Sequence, residues 1–316
     1  MNIPDLEAFV AVVETGSIIA ASARLNLTQS AVTRRVQNLE DRLGSELLNR
    51  HSKPLKPTST GRGVYENARR VLHSIEELKA GISPGSELRG EFRLGVMHYL
   101  AEAALSAPID GLRNAFPELA VQVSAGWSPR LIEQVARSEL DAAAIVLEDG
   151  AELPQDLEGE ELGPQHFVLV AASGLNVPRP AQIQDLSRLP WVMNELGCGC
   201  RESIRRRFER ARLPFRISVE AASMELRLSL AARELGITMV TPDALEKSSW
   251  LGLVERVEAP DFELRLNAWL VYRSPAGRLE RPIGLFRDAL RQELSWQNSA
   301  EGRDELNAES AAHELD

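Results

Sequence analysis

Val32, Val36, Leu39 and Leu43 recur at i, i+4, i+7 and i+11, the spacing that lays one apolar stripe along an α-helix. At about 100° per residue, Ser30, Arg34 and Gln37 fall opposite that stripe, and Thr33 lies on its shoulder. Thr28 is a good N-cap, Gln29 sits in the first turn and Gly44 is a good stop, so the pattern predicts a helix over 29–43. Ahead of it, Ile18, Ala21 and Leu25 give a shorter stripe, Leu25-Asn26-Leu27 makes a tight connection, and Leu6, Phe9, Val10 and Val13 form a first helix. The outer face of the third helix gathers short hydrogen-bonding groups and a guanidinium near its start, which is what reading a major groove requires.

Val64, Ala68, Val71, Leu72, Ile75, Leu78 and Ile82 then continue a helical stripe from residue 60 to about 82. That is longer than one small domain covers, so two readings stay open: packing on its own domain, or pairing with a partner helix. A Pro/Gly/Ser hinge follows from Ser83 to about Gly90. Beyond it strand and helix alternate: strand 92–96, helix 100–116 stopped by Pro117, strand 119–123, helix 129–139 and a continuous apolar strand 141–147. This is the rhythm of a parallel sheet covered on both faces. A similar series runs through 167–170, 191–193, a helix at about 200–212, 217–219, a helix at 223–235, and 237–240. A last strand at 264–272 and a helix at 278–296 remain. Two α/β subdomains are implied.

With 316 residues, 44% hydrophobic and 26% charged, the chain exceeds one typical domain, and no apolar run approaches a membrane span. The start, MNIPDLEAF, lacks a basic flank and an apolar signal core, and two cysteines do not make a disulfide scaffold; a cytoplasmic protein is expected. Charge changes the picture most. The net charge is −10, yet from Arg24 to Arg70 ten Lys/Arg stand against four Asp/Glu. Arg50, Lys53 and Lys56 lie at and within a proline-interrupted segment, HSKPLKPTSTG, that suits a two-stranded wing against a sugar-phosphate backbone. Charge alone would fit a solvated basic loop; charge behind a capped, two-faced helix favours DNA.

LNLTQSAVTRRVQNLEDRLGSELLNR, followed by the threonine and glycine of PTSTG, resembles the N-terminal winged helix-turn-helix of LysR-type transcriptional regulators. Gln29, Ala31-Val32, Thr33, Arg34, Val36, Leu39-Glu40, Leu43-Gly44, Leu47, Arg50, Thr58 and Gly61 are in register without a gap. Leu48 and Pro57 depart from it, standing where the family commonly has phenylalanine and leucine. The resemblance implies an α/β protein: a winged helix-turn-helix over 1–60, a long linker helix and hinge over 61–88, and a two-lobed periplasmic-binding-protein-like effector domain over 89–298. In that fold the last strand and helix return to complete the first lobe, giving lobe I at about 89–163 and 265–298 and lobe II at about 164–264. The linker helix then pairs with its twin through Val64, Val71, Leu72, Ile75 and Leu78, in a dimer or a dimer of dimers. Gln29, Ser30, Thr33 and Arg34 are expected to read bases and Arg50, Lys53 and Lys56 to hold phosphate, with Gln37 also on the DNA-binding face and Arg35 open between the two roles.

For the effector, His98, Tyr99 and Leu100 follow the first strand at its carboxyl end, where parallel sheets place ligands, and Trp127 adjoins Ser128. Ser128, Gly199-Cys200 and Ser223 precede helices whose free N–H groups favour an anion. Packing at a strand end, for the aromatic residues, and plain capping, for the serines, are the competing readings. Glu195, Gly197 and Cys198 form the crossover wall. Glu195 would repel an acidic effector unless it pairs with Arg201 or holds an amine.

No Walker loop or HExxH occurs, and Glu202 takes the third glycine place behind Gly197-Cys198-Gly199. The histidines lack ligand spacing, so neither metal nor cofactor is expected. A thiolate at a helix start could serve as a redox switch through Cys198 and Cys200, but residues two apart are poorly placed for an unstrained disulfide, and packing in the cleft wall is favoured. The tail from Ser299 holds six acids and one arginine and reads as a disordered extension. Expected partners are operator DNA, a small polar or anionic metabolite, a second copy of the chain and RNA polymerase, with no membrane.

Overall fold

A computed structural model describes residues 2–50, 52–81, 88–195, 197–262 and 264–297. Its contacts divide the chain near Leu88 into two compact units. Residues 83–87 of the expected hinge and the acidic tail from Ser299 lie outside the described residues.

The first unit runs α1 (Ile3–Thr15), α2 (Ile18–Arg24), α3 (Gln29–Leu43), the short strands β1 (Leu48–Asn49) and β2 (Lys56–Pro57), then α4 (Ser59–Gly81). Side-chain caps start the first three helices: Asn2 accepts from the Asp5 N–H at 3.0 Å, Ser17 from Ala20 at 3.4 Å and Thr28 from Ala31 at 3.2 Å. Gly16 and Gly44 end α1 and α3 in the left-handed region, each at φ 65°, as a glycine stop predicts. Phe9, Val12, Ala21, Val32, Leu39 and Leu47 are fully buried in one core. Each of the large ones contributes about 2–3 kcal/mol.

Leu43 is a correction. It is 42% exposed, because it stands on the last turn of α3 beyond the three-helix core, and Leu47 takes the buried place after the chain reverses at Gly44. Gly61 explains itself here: a Cβ would lie 2.0 Å from the Leu47 carbonyl oxygen, so only glycine lets α4 approach the backbone just ahead of β1.

The second unit begins with β3 (Gly90–Met97), α5 (Ala101–Ala104), α6 (Ala107–Ala115), β4 (Leu119–Gly126), α7 (Ser128–Ala136), β5 (Ala142–Glu148) and β6 (Leu157–Gln165). It crosses into a second lobe with β7 (Val168–Ala171), α8 (Ile183–Arg188), β8 (Pro190–Met193), α9 (Gly199–Arg210), β9 (Arg216–Glu220), α10 (Met224–Ala232), β10 (Thr238–Val240), α11 (Pro242–Glu246) and β11 (Glu255–Val257). It returns with β12 (Leu266–Arg273) and α12 (Glu280–Gln297). The first lobe's sheet has the order β4-β3-β5-β12-β6, and the second holds β10-β7-β11 and the pair β8-β9, joined through a bridge between Trp191 and Ile237.

The sheets are mixed where an all-parallel arrangement was expected. β3 runs parallel to β4 and β5, but β12 is antiparallel to β5 and β6, because it re-enters from the other lobe. β6 was not foreseen. Its sequence, LEGEELGPQ, lacks β-branched residues, and it survives as an edge strand, where acids and a proline are tolerated. Its Glu160 accepts from Tyr272 and from Arg287, each at 2.8 Å. The single helix expected over 100–116 is broken into a 3-10 turn, α5 and α6, since Pro108 has no N–H and its ring excludes the carbonyl of Ala104.

Candidate functional site

On α3, Gln29, Ser30, Arg34 and Gln37 are exposed, while Thr33 and Arg35 are half-buried. The Thr33 hydroxyl donates to the Gln29 carbonyl at 2.8 Å, and the Ser30 hydroxyl shares a 3.1 Å hydrogen bond with Thr28. Both hydroxyls therefore keep lone pairs for an incoming donor. β1 and β2 pair antiparallel, Asn49 opposite Lys56, with Lys53 exposed at the tip between them.

Arg50 has a partner within the protein besides its expected phosphate role. Its Nη2 donates to Glu40 Oε2 at 2.8 Å, while Oε1 of the same buried carboxylate accepts from the N–H groups of Leu47 (2.8 Å) and Leu48 (3.3 Å). Arg50 thus compensates a buried charge that pins the wing to α3, because a lone carboxylate there would be too costly.

Along α4, Ala68 is buried in the first unit's core, and Val64, Tyr65 and Leu72 pack against it. Part of the expected dimer stripe is therefore used within its own chain. Val71 is 44% exposed and Ile75 half-buried; the Leu78 side chain lies outside the described ones.

In the second unit the lobes meet at Tyr99. Its ring stands edge-on to Trp127 (5.9 Å) and to Phe167 (5.3 Å), and exposed His98 packs on Trp127 at 4.7 Å. From the other lobe, Asn194 Nδ2 donates to the Tyr99 hydroxyl oxygen, and Arg227 Nη2 does so at 3.3 Å. Tyr99 also neighbours Cys198 and helps to lower its thiol. Cys198 stands at the N-cap position of α9 without a side-chain cap hydrogen bond, and its neighbours Cys200, Arg201 and Tyr99 favour its thiolate. The Cys200 hydrogen bond leads in lowering the Cys198 thiol to about 7, against the opposing effect of burial. The same bond, with burial, pushes Cys200 up, and burial raises Tyr99 despite Arg227.

A second contact between lobes is made by Glu148, which accepts from Ser203 (3.0 Å) and Arg206 (2.7 Å). Around the second contact lies a cavity of about 610 Å³, lined from one lobe by Pro129, Val146 and Glu148 and from the other by Gly197, Cys198 and Arg201; Tyr99, Asn194 and Arg227 do not line it. Among the described residues no cluster of three or more His, Cys, Asp or Glu could hold a metal ion, and no helix is long and apolar enough to cross a membrane.

Two expectations for this site need correction, and one alternative is closed. Ser128 lies inside α7, fully buried, and its hydroxyl is spent on the main chain of Val146, donating at 2.9 Å and accepting at 3.1 Å. Leu100 is fully buried and belongs to the core. Arg201 pairs with Glu220 (2.8 Å) and with the Asn194 carbonyl (2.7 Å), which leaves Glu195 exposed without it. Ser223 does cap α10, accepting from Leu226 at 3.1 Å, and Gly197 takes φ 93° in the crossover wall. Asn194 and Arg227 were missed. The signal for Arg227 was a charge within the apolar stripe of Met224, Leu228 and Ala231.

A winged helix-turn-helix ahead of a two-lobed α/β unit defines a DNA-binding regulator with an effector domain. A family profile described as the LysR substrate binding domain matches residues 85–295, and one described as bacterial regulatory helix-turn-helix protein, lysR family, matches residues 3–62. The chain belongs to the LysR family of transcriptional regulators, which are DNA-binding proteins and not enzymes. It is similar to the regulator GltR of Bacillus subtilis, 29% identical over 241 residues, 76% of this chain and 79% of that one. It is also similar to CzcR of Bacillus anthracis, 27% identical over 262 residues, 83% and 87% of the two chains. Among solved structures, a cysteine-to-aspartate variant of full-length OxyR from Pseudomonas aeruginosa matches with a TM-score of 0.74 at 19% identity, covering 92% of this chain and 95% of that one. ArgP from Mycobacterium tuberculosis matches with 0.66 at 21%, covering 92% and 97%.

Proposed function

We propose that this regulator acts in the cytoplasm as a dimer or dimer of dimers on an interrupted palindrome, and that a small polar or anionic metabolite bound between the lobes sets its DNA contacts and its dealings with RNA polymerase. The observation that carries this reading is Tyr99 of one lobe held by Asn194 and Arg227 of the other, next to Cys198, which lines a cavity between the lobes. A ligand touching both sides binds the closed form better, and that difference in affinity is what shifts a conformational equilibrium. α3 reads bases through Gln29, Ser30, Thr33 and Arg34, Lys53 and Lys56 hold phosphate, and the exposed side of α4 at Val71 joins two copies. Footprinting of the full chain on the DNA beside its own gene tests this. Two protected half-sites, altered by at least one compound of a metabolite set, are the expected result; protection that no compound changes would overturn the effector half.

A redox trigger is the second reading, favoured by the lowered thiol of Cys198 hydrogen-bonded to Cys200. Replacing both cysteines by serine leaves the response intact if a metabolite is the signal.

A further inference from the structure

Arg227 is fully buried, yet no carboxylate among the described residues pairs with it. Its Nη1 donates to the carbonyls of Ala221 (3.4 Å) and Ala222 (3.3 Å), its Nη2 to the Tyr99 hydroxyl, and its Nε has no partner. A guanidinium withdrawn from water without a counter-ion is strongly disfavoured, and a mere packing role would be filled better by an apolar side chain. Asn194, also buried, aims its Nδ2 at the same phenol oxygen. Two donors of the second lobe therefore converge on one oxygen lent by the first. Burial keeps Tyr99 in its neutral form, so this oxygen matches the geometry of an anion and supplies none of its charge.

We infer that the Tyr99 hydroxyl is a stand-in for a carboxylate oxygen: the effector is a small monocarboxylate, anchored by Arg227 and Asn194, and Tyr99 is the plug it displaces. This rests on the effector reading above and adds the ligand's chemical class and its anchor. With the lobes parted, the unpartnered Nε and the Nη2 of Arg227 form the planar fork that takes both oxygens of a carboxylate, an arrangement that a lysine cannot reproduce. The interlobe cavity reaches this anchor through Cys198, which neighbours Tyr99, and gives the remainder of the ligand its room.

The test is a titration of the full chain with sodium monocarboxylates from acetate to octanoate, and with the matching amides, by calorimetry and thermal shift at constant ionic strength. At least one carboxylate should bind saturably and its amide should not. Arg227→Gln should weaken that carboxylate by roughly tenfold or more, the loss expected of a charged hydrogen bond. Tyr99→Phe keeps the ring, removes the plug oxygen and should tighten the same ligand. Should Arg227→Gln fail to fold, Arg227→Lys keeps the charge without the fork and should bind more weakly than the parent. Opposite signs at positions 99 and 227 are not what a purely structural pair would give. Equal binding of acid and amide, no saturable binding across the series, or Tyr99→Phe weakening the ligand as Arg227→Gln does would each overturn the inference. If a neutral compound binds the cleft and neither substitution alters it, the carboxylate falls and the effector reading stands. If no compound of any charge binds the second unit, both fall.

Discussion

Arg34 and Lys53 carry the same charge to different ends. Arg34 stands near the start of a reader helix beside groups with free lone pairs, whereas Lys53 sits at the exposed tip between two short strands. Arg34→Ala should relax preference at particular base pairs and cost about 1–3 kcal/mol, while Lys53→Ala should weaken every sequence alike and flatten the salt slope by about one unit; gel shifts across salt and operator variants check both. Arg50 has a second task, since it also answers the buried charge of Glu40. Cys198 offers a prediction of its own. Its thiol is lowered to about 7, so the reactive thiolate accumulates above that pH and is lost below it. Alkylation of the native chain should therefore rise through neutrality and map to Cys198, which borders the cavity, before Cys200, which is held protonated. Peptide mapping after iodoacetamide treatment measures this; first labelling at Cys200 would contradict it.

At the scale of elements, the first unit was legible because its signals are local: Thr28 and Gly44 bound α3 at the residues expected, and the 3.6-residue period marked its core. Where long-range context decides, the sequence was less informative. Nothing in LEGEELGPQ announces an edge strand, and nothing in the alternation of strand and helix reveals that β12 runs antiparallel. The site was half legible for the same reason. Tyr99 and Cys198 could be placed by strand ends and helix starts, but Arg227 and Asn194 matter only through a partner far along the chain. The helix α4 shows a stripe divided between two uses. Leu72 packs into its own core while Val71 is exposed, so the two should separate experimentally. Leu72→Glu should destabilise the first unit by about 2–5 kcal/mol. Val71→Glu should leave stability nearly unchanged and weaken self-association, read by sedimentation and by loss of cooperative half-site binding. A Val71→Glu chain that still dimerises fully would place the interface elsewhere.

For the whole molecule, charge is segregated. Residues 1–83 hold eleven basic and nine acidic side chains, whereas the entire chain carries −10. DNA should therefore be attracted to the reader and repelled by the rest, and raising salt should weaken binding through a small number of phosphate contacts. Glu148 is a second lever at this scale, since its bonds to Ser203 and Arg206 help hold the lobes together. Glu148→Ala should raise amide exchange around the end of β5 and the start of α9 while leaving the first unit's exchange unchanged, as hydrogen-exchange mass spectrometry would report.

The return of β12 also orders the birth of the protein. β5 meets its neighbour β12 only after the whole second lobe has been synthesised, because the strand that pairs with it begins at Leu266. On the ribosome the second lobe is thus complete while the first still has an open sheet edge, the kind of surface that recruits other chains. The nascent regulator is then most exposed to aggregation in the interval before β12 emerges, and a chain arrested after residue 262 should show a protease-resistant second lobe beside a digestible first one.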